Sequence, residues 1–190
     1  MYSDFLRFNE HKDTVCRSRL DSKWVHCMSI KIVTGIASLT FIVDQTSKFY
    51  VVQFLNLREK IAIDVINPIL NFRMAWNTGI NFGLLDSGGN VSRWGLIFFS
   101  VAISVALFWW IRKSKSLLRQ SCVAMIIGGA LGNAVDRIIF GAVADFLNMS
   151  CCGIRNPFSF NVADIAIFVG ALILIFWDKN EEEWPKSMGD

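Results

Sequence analysis

The sequence predicts an all-α membrane protein with four transmembrane helices, and three observations lead to this fold class. The 190 residues are 53% hydrophobic with a mean hydropathy of +0.42, which is rare in a soluble domain of this size. Residues 94–111 carry no charge and are numerous enough to cross a bilayer as a helix. Three further apolar segments, separated by polar connections, supply the remaining spans.

The first predicted span covers residues 30–50 and is interrupted only near its far end, by Asp44 and Lys48. A long connection follows at 51–92. Within it, residues 61–70 fit a strand or an interfacial helix equally, because periodicity does not separate the two in so short a run.

Three more spans are predicted along the chain. The second covers residues 93–111 and the third covers residues 120–140. The fourth ends near Trp177. Its start is indicated by Asn156, which fits the N-cap, and by Pro157, which fits the first helical position, where a missing N–H costs nothing.

The loop at 112–119 sets the predicted orientation. It carries four basic residues and no acidic ones, and such loops are typical of the cytoplasmic side. Both termini are then cytoplasmic. The predicted organisation is an N-terminal extension at 1–29, a transmembrane domain at 30–177 and a cytoplasmic tail at 178–190.

Short polar motifs lie inside or beside the apolar runs, and in this orientation they gather in one layer on the outer side. Charged side chains at membrane depth are costly, so they are candidates for function. The motifs are residues 44–48 (DQTSK), 77–79 (NTG), 129–137 (GALGNAVDR), 144–146 (ADF) and 160–164 (FNVAD).

Asp145 and Asp164 are the candidate catalytic pair. Asp145 is predicted in a turn after the third span, and Asp164 about 10 Å into the fourth helix, counted from Pro157. Two close carboxyl groups cannot both ionise easily, so one keeps a proton that polarises a carbonyl while the other takes a proton from water. The structural alternative is that Asp145 caps a turn and Asp164 pairs with a basic residue.

Asn133, Asp136 and Arg137 share one helix face, because they are spaced by three and four residues. Gly128 and Gly132 form a small-residue pattern that permits close helix contact beside them. We favour a buried structural ion pair for the three polar residues, which then support a site without reacting.

The remaining polar residues allow two interpretations each. For Asp44 and Lys48, four residues apart, an interfacial ion pair with Lys48 extended outward is favoured over a role in orienting the site. Asn77 and Gly79 are typical of a turn, and the functional alternative is an amide that binds a substrate backbone. Asn161 either holds the second aspartate or substrate, or makes a polar contact between helices.

Taken together, the motifs resemble those of the lipoprotein signal peptidases, also called signal peptidase II. They occur in the family order over about residues 30–177. The matching segments are residues 44–48, 77–79 with Phe82, 129–137, 144–146 and 160–164. The sequence departs from the family at Asn81, where a small residue is usual.

The resemblance implies four transmembrane helices and a small extracytoplasmic platform, containing a sheet, after the first helix. It implies an aspartyl endopeptidase of the bacterial inner membrane, free of metal and cofactor, that cuts diacylglyceryl-modified prolipoproteins before the lipidated cysteine. Prolipoproteins and membrane lipids are the expected partners of a monomer. The resemblance assigns catalysis to Asp145 and Asp164. It assigns supporting or substrate-binding roles to Asp44, Lys48, Asn77, Gly79, Gly129, Asn133, Asp136, Arg137, Asn161 and Ala163.

Other function classes are less well supported by the sequence. A small proton-coupled transporter using the same carboxylates is the main alternative, but it predicts internal repeats, and none is found. A non-catalytic scaffold gives no reason for aspartates clustered at one depth. The five cysteines form no CxxC pair, so a metal site is not indicated. Basic residues do not interleave with exposed aromatics, so nucleic-acid binding is not indicated.

Overall fold

The computed structural model of the chain describes residues 29–66, 69–79, 89–112, 114–150 and 156–177. The predicted N-terminal extension before residue 29, the cytoplasmic tail, Asn81 and Phe82 lie outside these residues.

Four long helices dominate the fold. Helix α1 (29–48) continues without a break into a π-helical segment (Phe49–Phe54), and a short helix α2 (Leu57–Lys60) follows. The other long helices are α3 (Gly89–Ile111), α4 (Leu117–Phe140) and α5 (Val162–Trp177).

Two of the helices in the described residues are long and apolar enough to cross a membrane. They are Asn90–Ile111, with a mean hydropathy of 2.0, and Leu117–Phe140, with 1.5. The apolar stretch of α5, Val162–Phe176, is shorter. The structure therefore agrees with a mostly helical membrane protein, and the count of four spans stays a prediction.

Helix α4 is the central helix and packs against both α3 and α5. It begins at Ser116, whose hydroxyl accepts a hydrogen bond from the Arg119 N–H, and it ends at Gly141, whose φ of 81° suits glycine. Gly128 lies directly against the Ala37 carbonyl of α1, with no room for a side chain. The prediction that small residues permit close helix contact here is confirmed.

A three-stranded antiparallel sheet sits beside the helices, with β1 (Ala62–Ile66), β2 (Leu70–Asn77) and β3 (Val143–Met149) in that order. The strand interpretation of residues 61–70 is thus correct. The platform predicted after the first helix is also present, but its third strand comes from the segment that follows α4. Phe146 of β3 is fully buried against Val51 and Leu57, which fixes the sheet to the end of α1.

The prediction that Asp145 lies in a turn is wrong, because it lies within β3 and pairs with Ala75 of β2. The predicted start of the last helix is also wrong. Asn156 and Pro157 are in an irregular segment, and α5 starts at Val162. Asp164 therefore lies in the first turn of the helix and not about 10 Å along it.

Candidate active site

Asp145 is held in the middle of β3 with only 3% of its surface exposed. Its carboxylate accepts hydrogen bonds from the side-chain amides of Asn161, at 2.6 Å, and Asn77, at 3.1 Å. Burial, followed by the nearby charge of Asp164, raises the pKa of Asp145 to about 6, against the lowering effect of the two amides. Asp145 can therefore keep a proton at a pH where an ordinary aspartate has lost it.

Asp164 is fixed at the start of α5 by a reciprocal capping arrangement with Asn161. The Asn161 side-chain oxygen accepts from the Asp164 N–H at 2.9 Å, and the Asn161 N–H donates to the Asp164 carboxylate at 3.2 Å. Each side chain satisfies a backbone donor that the first turn of a helix leaves free. A third contact comes from α4, where the Asn133 amide donates to Asp164 at 2.9 Å. Asp164 is only half-buried, so one side of its carboxylate faces open space.

Asn161 joins the two aspartates. Its side-chain NH₂ donates to Asp145, while its oxygen and backbone N–H both engage Asp164. Asn161 itself is fully buried, so this geometry is enclosed by the surrounding helices and sheet. Asn161 holds the second aspartate, and its NH₂ also donates to the Asn133 oxygen of α4 at 3.2 Å, so both predicted kinds of contact are present.

Lys48 lies inside the protein, which contradicts the predicted outward extension. Only 5% of the residue is exposed, and its ammonium lies 2.7 Å from Asp44 and 2.7 Å from Asp136. It also donates to the side-chain oxygen of Asn133 at 3.1 Å. The physical reason is that two carboxylates on α1 and α4 compensate the charge, so the lysine does not need water.

Gln45 completes this buried polar network, which consists of Asp44, Gln45, Lys48, Asn133 and Asp136. The Gln45 amide donates to Asp136 at 2.9 Å and contacts Asp44 at 3.2 Å. Sequence reasoning did not identify Gln45. Its position directly after Asp44, within an otherwise apolar run, is the signal that could have found it.

Asn133, Asp136 and Arg137 are brought together as predicted, but with separate tasks. Asp136 pairs with Lys48 and also accepts a hydrogen bond from the Ala144 N–H at 3.4 Å, next to Asp145 in β3. Arg137 donates to the Asn133 carbonyl at 3.2 Å, and its Nε is buried with no hydrogen-bond partner among the described residues. Arg137 makes no ion pair within the same part of the chain, so the predicted structural ion pair involves only Asp136.

Arg93 of α3 is a second residue that sequence reasoning did not identify. It donates to the Arg137 carbonyl at 2.7 Å and to the Ile138 carbonyl at 2.8 Å, and so satisfies acceptors at the end of α4. The position of Arg93 at the start of the second apolar run is the feature of the sequence that could have identified it.

Asn77 and Gly79 form the predicted turn and also reach the site. The Asn77 side-chain oxygen accepts from the Gly79 N–H at 3.0 Å, which leaves the amide NH₂ free to donate to Asp145. Gly79 has a φ of 111°, and a Cβ there would lie 2.6 Å from Leu96. The turn therefore needs glycine for both its backbone conformation and its packing.

Gly129 and Ala163 set the distance between α4 and α5. A Cβ on Gly129 would lie 2.7 Å from the Ala163 carbonyl oxygen. The Ala163 N–H donates to Asp44 of the buried polar network at 2.9 Å. Helix α5 is therefore held on both sides at the residue just before Asp164.

The arrangement has the parts for acid–base hydrolysis: two carboxyl groups that both accept hydrogen bonds from Asn161, with different environments and partial access to Asp164. Within the part of the chain that the structure describes, no three His, Cys, Asp or Glu side chains are grouped so that they could hold a metal ion.

Sequence comparisons give one consistent result. A family model described as signal peptidase (SPase) II matches residues 36–178. A lipoprotein signal peptidase of Alteromonas mediterranea is 38% identical over 78% of this chain and 83% of its own length. One of Rhodopseudomonas palustris is 36% identical over 76% of this chain and 88% of its own length. Nothing in these matches supports the transporter alternative.

Solved structures agree with the sequence matches. A bacterial membrane enzyme determined by the in meso method at 2.3 Å resolution has a TM-score of 0.66 and 26% identity, over 83% of this chain and 94% of its own. A second such structure, at 1.9 Å, has a TM-score of 0.65 and 28% identity, over 76% of this chain and 90% of its own.

Proposed function

This chain belongs to the signal peptidase II family, and we propose that Asp145 and Asp164 are the catalytic pair of this enzyme. It is an aspartic peptidase of the membrane that removes signal peptides from prolipoproteins. The observation that carries the proposed pair is the Asn161 bridge: its side-chain NH₂ donates to the Asp145 carboxylate and its backbone N–H donates to the Asp164 carboxylate, while its side-chain oxygen accepts from the Asp164 N–H.

The proposed reaction uses one proton shared by the pair. The charged carboxylate takes a proton from a water molecule while the oxygen of that water bonds to the scissile carbonyl carbon. The protonated carboxyl group gives its proton to the carbonyl oxygen, which produces a neutral tetrahedral diol. The C–N bond then breaks as the amine nitrogen receives a proton from the first aspartate. The second aspartate recovers its proton from a diol hydroxyl, so the pair returns to its starting state.

The supporting residues divide by what they contact. Asn77, Asn133 and Asn161 hold the two carboxylates. Lys48 holds Asn133, Asp44 holds the start of α5, and Asp136 holds Lys48. Gly79, Gly129 and Ala163 give the close backbone approaches that these contacts need. Arg137 has an unpaired donor beside the pair, which suits it to a substrate carbonyl.

The substrate is proposed to be a prolipoprotein that already carries diacylglycerol on its cysteine, cut just before that residue. A lipidated cysteine keeps the scissile bond near the headgroup layer. The catalytic pair fits the depth of the headgroup layer, because Asp164 is in the first turn of an apolar helix and Asp145 is in a sheet beside the helix ends. Membrane lipids are the other expected contact, and the enzyme is proposed to act as a monomer.

The proposed location is the bacterial inner membrane, with four spans and both termini cytoplasmic. Two apolar helices meet the length for a span, and the basic loop between them supports a cytoplasmic position for that end. The long α1 and the shorter apolar α5 supply the other two spans, and the sheet and dyad then face outward.

The test is cleavage of a diacylglyceryl-modified prolipoprotein by detergent-purified protein, with EDTA present. Wild type is compared with Asp145→Asn and Asp164→Asn. We expect a loss of more than about 1,000-fold in kcat for each, because neither amide can exchange the proton. Asp64→Asn, which changes an exposed aspartate of β1, is the matched control and keeps wild-type turnover. Turnover surviving in either dyad variant, with the fold intact by thermal unfolding, contradicts the assignment.

A further inference from the structure

The two aspartates differ in their surroundings, and this difference begins at Lys48. Lys48 has only donors, so the side-chain atom of Asn133 that lies 3.1 Å from its ammonium must be the oxygen. The NH₂ of Asn133 is then forced to the opposite side, where it meets the Asp164 carboxylate at 2.9 Å. An amide turned the other way would place its NH₂ against the Lys48 ammonium and its oxygen against the Asp164 carboxylate, two contacts without a hydrogen bond.

Lys48 cannot move to release that amide. Asp44 and Asp136 hold its ammonium at 2.7 Å each, and both carboxylates are themselves anchored. Asp44 accepts from the Ala163 N–H, and Asp136 accepts from Gln45. The Asn161 NH₂ also donates to the Asn133 oxygen, at 3.2 Å. The orientation of Asn133 is therefore set by Lys48 together with Asn161.

Asp164 is surrounded by groups that stabilise a negative charge. It receives N–H donors from Asn133 and from the Asn161 backbone, and it lies in the first turn of α5, where the helix dipole favours an anion. It is also half-buried, so water reaches it. These contacts leave no hydrogen-bond acceptor aimed at Asp164 among its described partners.

Asp145 also accepts two N–H donors, from Asn77 and Asn161, but it differs from Asp164 in its burial. It is almost completely buried in β3, and its pKa is raised to about 6 by that burial and then by the charge of Asp164. The other charged groups around the pair are Lys48 and Asp44 of α1 and Asp136 and Arg137 of α4. Arg137 acts electrostatically on both members of the pair, and the charge of Lys48 lowers the pKa of Asp145. Each carboxylate accepts two N–H donors, so the two aspartates differ in burial and in the helix start beside Asp164, where the Asn133 amide is one of the donors that favour the charge.

We propose that Lys48 is a positioning residue that, by fixing the amide of Asn133, makes Asp164 the charged aspartate that takes the proton from water and leaves Asp145 as the aspartate that protonates the carbonyl oxygen. This inference rests on the proposed catalytic pair and assigns a different role to each member. Neither Lys48 nor Asn133 needs to touch the substrate.

The test is the pH dependence of kcat, measured with saturating diacylglyceryl-modified prolipoprotein from about pH 4 to about pH 9. Asn133→Leu removes the NH₂ that faces Asp164 without changing charge. We expect the acid limb of the profile to move up by about one pH unit, because the carboxylate that takes the proton from water loses one hydrogen bond. The alkaline limb stays in place, since both donors to Asp145 remain, and KM changes by less than about three-fold.

Two substitutions at Lys48 test the part that its ammonium plays in holding Asn133. Lys48→Arg keeps a charged, donor-only side chain and leaves the acid limb at its wild-type pH. Lys48→Gln offers an oxygen as well as an NH₂, so only the Asn161 NH₂ still holds the Asn133 oxygen, and the acid limb moves up by less than in Asn133→Leu. Lys48→Gln also removes a positive charge that lowers the pKa of Asp145, so its alkaline limb moves up as well. Asn148→Leu is the matched control, because Asn148 is also buried and donates to the backbone of residues 156 and 158 but not to the pair. In the profile of Asn148→Leu, both limbs stay at the wild-type pH, whatever the maximal kcat of this variant.

An acid limb in Asn133→Leu that coincides with wild type overturns the proposal, as does an equal shift in Lys48→Arg and Lys48→Gln. Asp145→Asn and Asp164→Asn are run in the same series. If either of them cleaves, the catalytic pair itself is wrong. If both are inactive and the limb does not move, only the role of Lys48 and Asn133 is lost.

Discussion

Gly129→Ala tests how closely catalysis depends on the spacing of α4 and α5. The added Cβ would lie 2.7 Å from the Ala163 carbonyl oxygen and 2.9 Å from Ile167. Ordinary contact begins at 3.4 Å, so the backbone of α5 must move by about 0.7 Å next to Asp164. A misplacement of about 1 Å at a catalytic group costs on the order of 100-fold in rate, and we expect a loss of about 30- to 100-fold in kcat.

Gly170→Ala is the matched control for this change. Its Cβ would lie 2.7 Å from the Cys122 carbonyl oxygen and 3.0 Å from Ile126, in the same pair of helices. It is six residues beyond Asp164, or about 9 Å along the helix. Both substitutions are expected to cost about 2 kcal/mol of stability through overpacking, but Gly170→Ala keeps turnover within about three-fold of wild type.

Cleavage of a diacylglyceryl-modified prolipoprotein gives kcat for both variants, and thermal unfolding in the same detergent gives their stability. The reasoning is refuted if Gly129→Ala retains wild-type turnover, because α5 then tolerates the displacement. It is also refuted if Gly170→Ala loses as much activity as Gly129→Ala at equal stability, because the loss then reflects helix packing in general.

Two further predictions follow from the surroundings of Asp145. Asn77→Ala removes a hydrogen bond that lowers the pKa of Asp145. The alkaline limb of the kcat profile should therefore move up by roughly half to one pH unit. An alkaline limb that stays in place or moves down would show that Asn77 does not act on this carboxyl group. The raised pKa of Asp145 also affects stability. Between about pH 4 and about pH 6 the folded protein keeps a proton that the unfolded chain has released, so the stabilising effect of this group is full below about pH 4 and is lost as the pH rises through about 6. The free energy of unfolding falls by about 3 kcal/mol over this pH range, and Asp145→Asn should remove this fall. The midpoint of unfolding is measured at both ends of the range for wild type and variant. An equal fall in the two proteins would contradict the assignment.

The sequence was sufficient to predict which segments form the site, because charged residues inside apolar runs are costly and therefore conspicuous. Asp44, Lys48, Asn133, Asp136 and the two aspartates of the pair do converge. Helical spacing also predicted that Asn133 and Asp136 share a face, and both belong to the buried polar network.

The errors arose where a local rule competed with a longer-range contact. Asn156 and Pro157 satisfy the local rules for a helix start, but Asn161 and Asp164 satisfy the reciprocal capping rule, and Phe160 is held in a bridge to β3. The spacing of Asn161 and Asp164 could have revealed the true start. The strand at Asp145 was hidden because it is buried on both faces, so its sequence does not alternate.

The direction of Lys48 was the third error, and its cause is general. A lysine near the end of an apolar helix reaches water unless acceptors are available inside. With Asp44 as its partner on the same helix, the Lys48 side chain could point either outward to water or inward. Only the partner from α4, Asp136, decides it, and that contact depends on how the helices pack.

The pairing of Asp44 with Lys48 on one helix has a consequence for biogenesis. During synthesis α1 is complete long before Asn133, the α4 partner of Lys48, which lies 85 residues later in the chain, or the Ala163 N–H, which lies 119 residues after Asp44. In that interval the two charges neutralise each other within a single turn of helix, so the nascent segment carries no net charge on this face. The same lysine can later accept a second carboxylate when α4 arrives. The contacts that hold Asp164 form last, after α5 has been made.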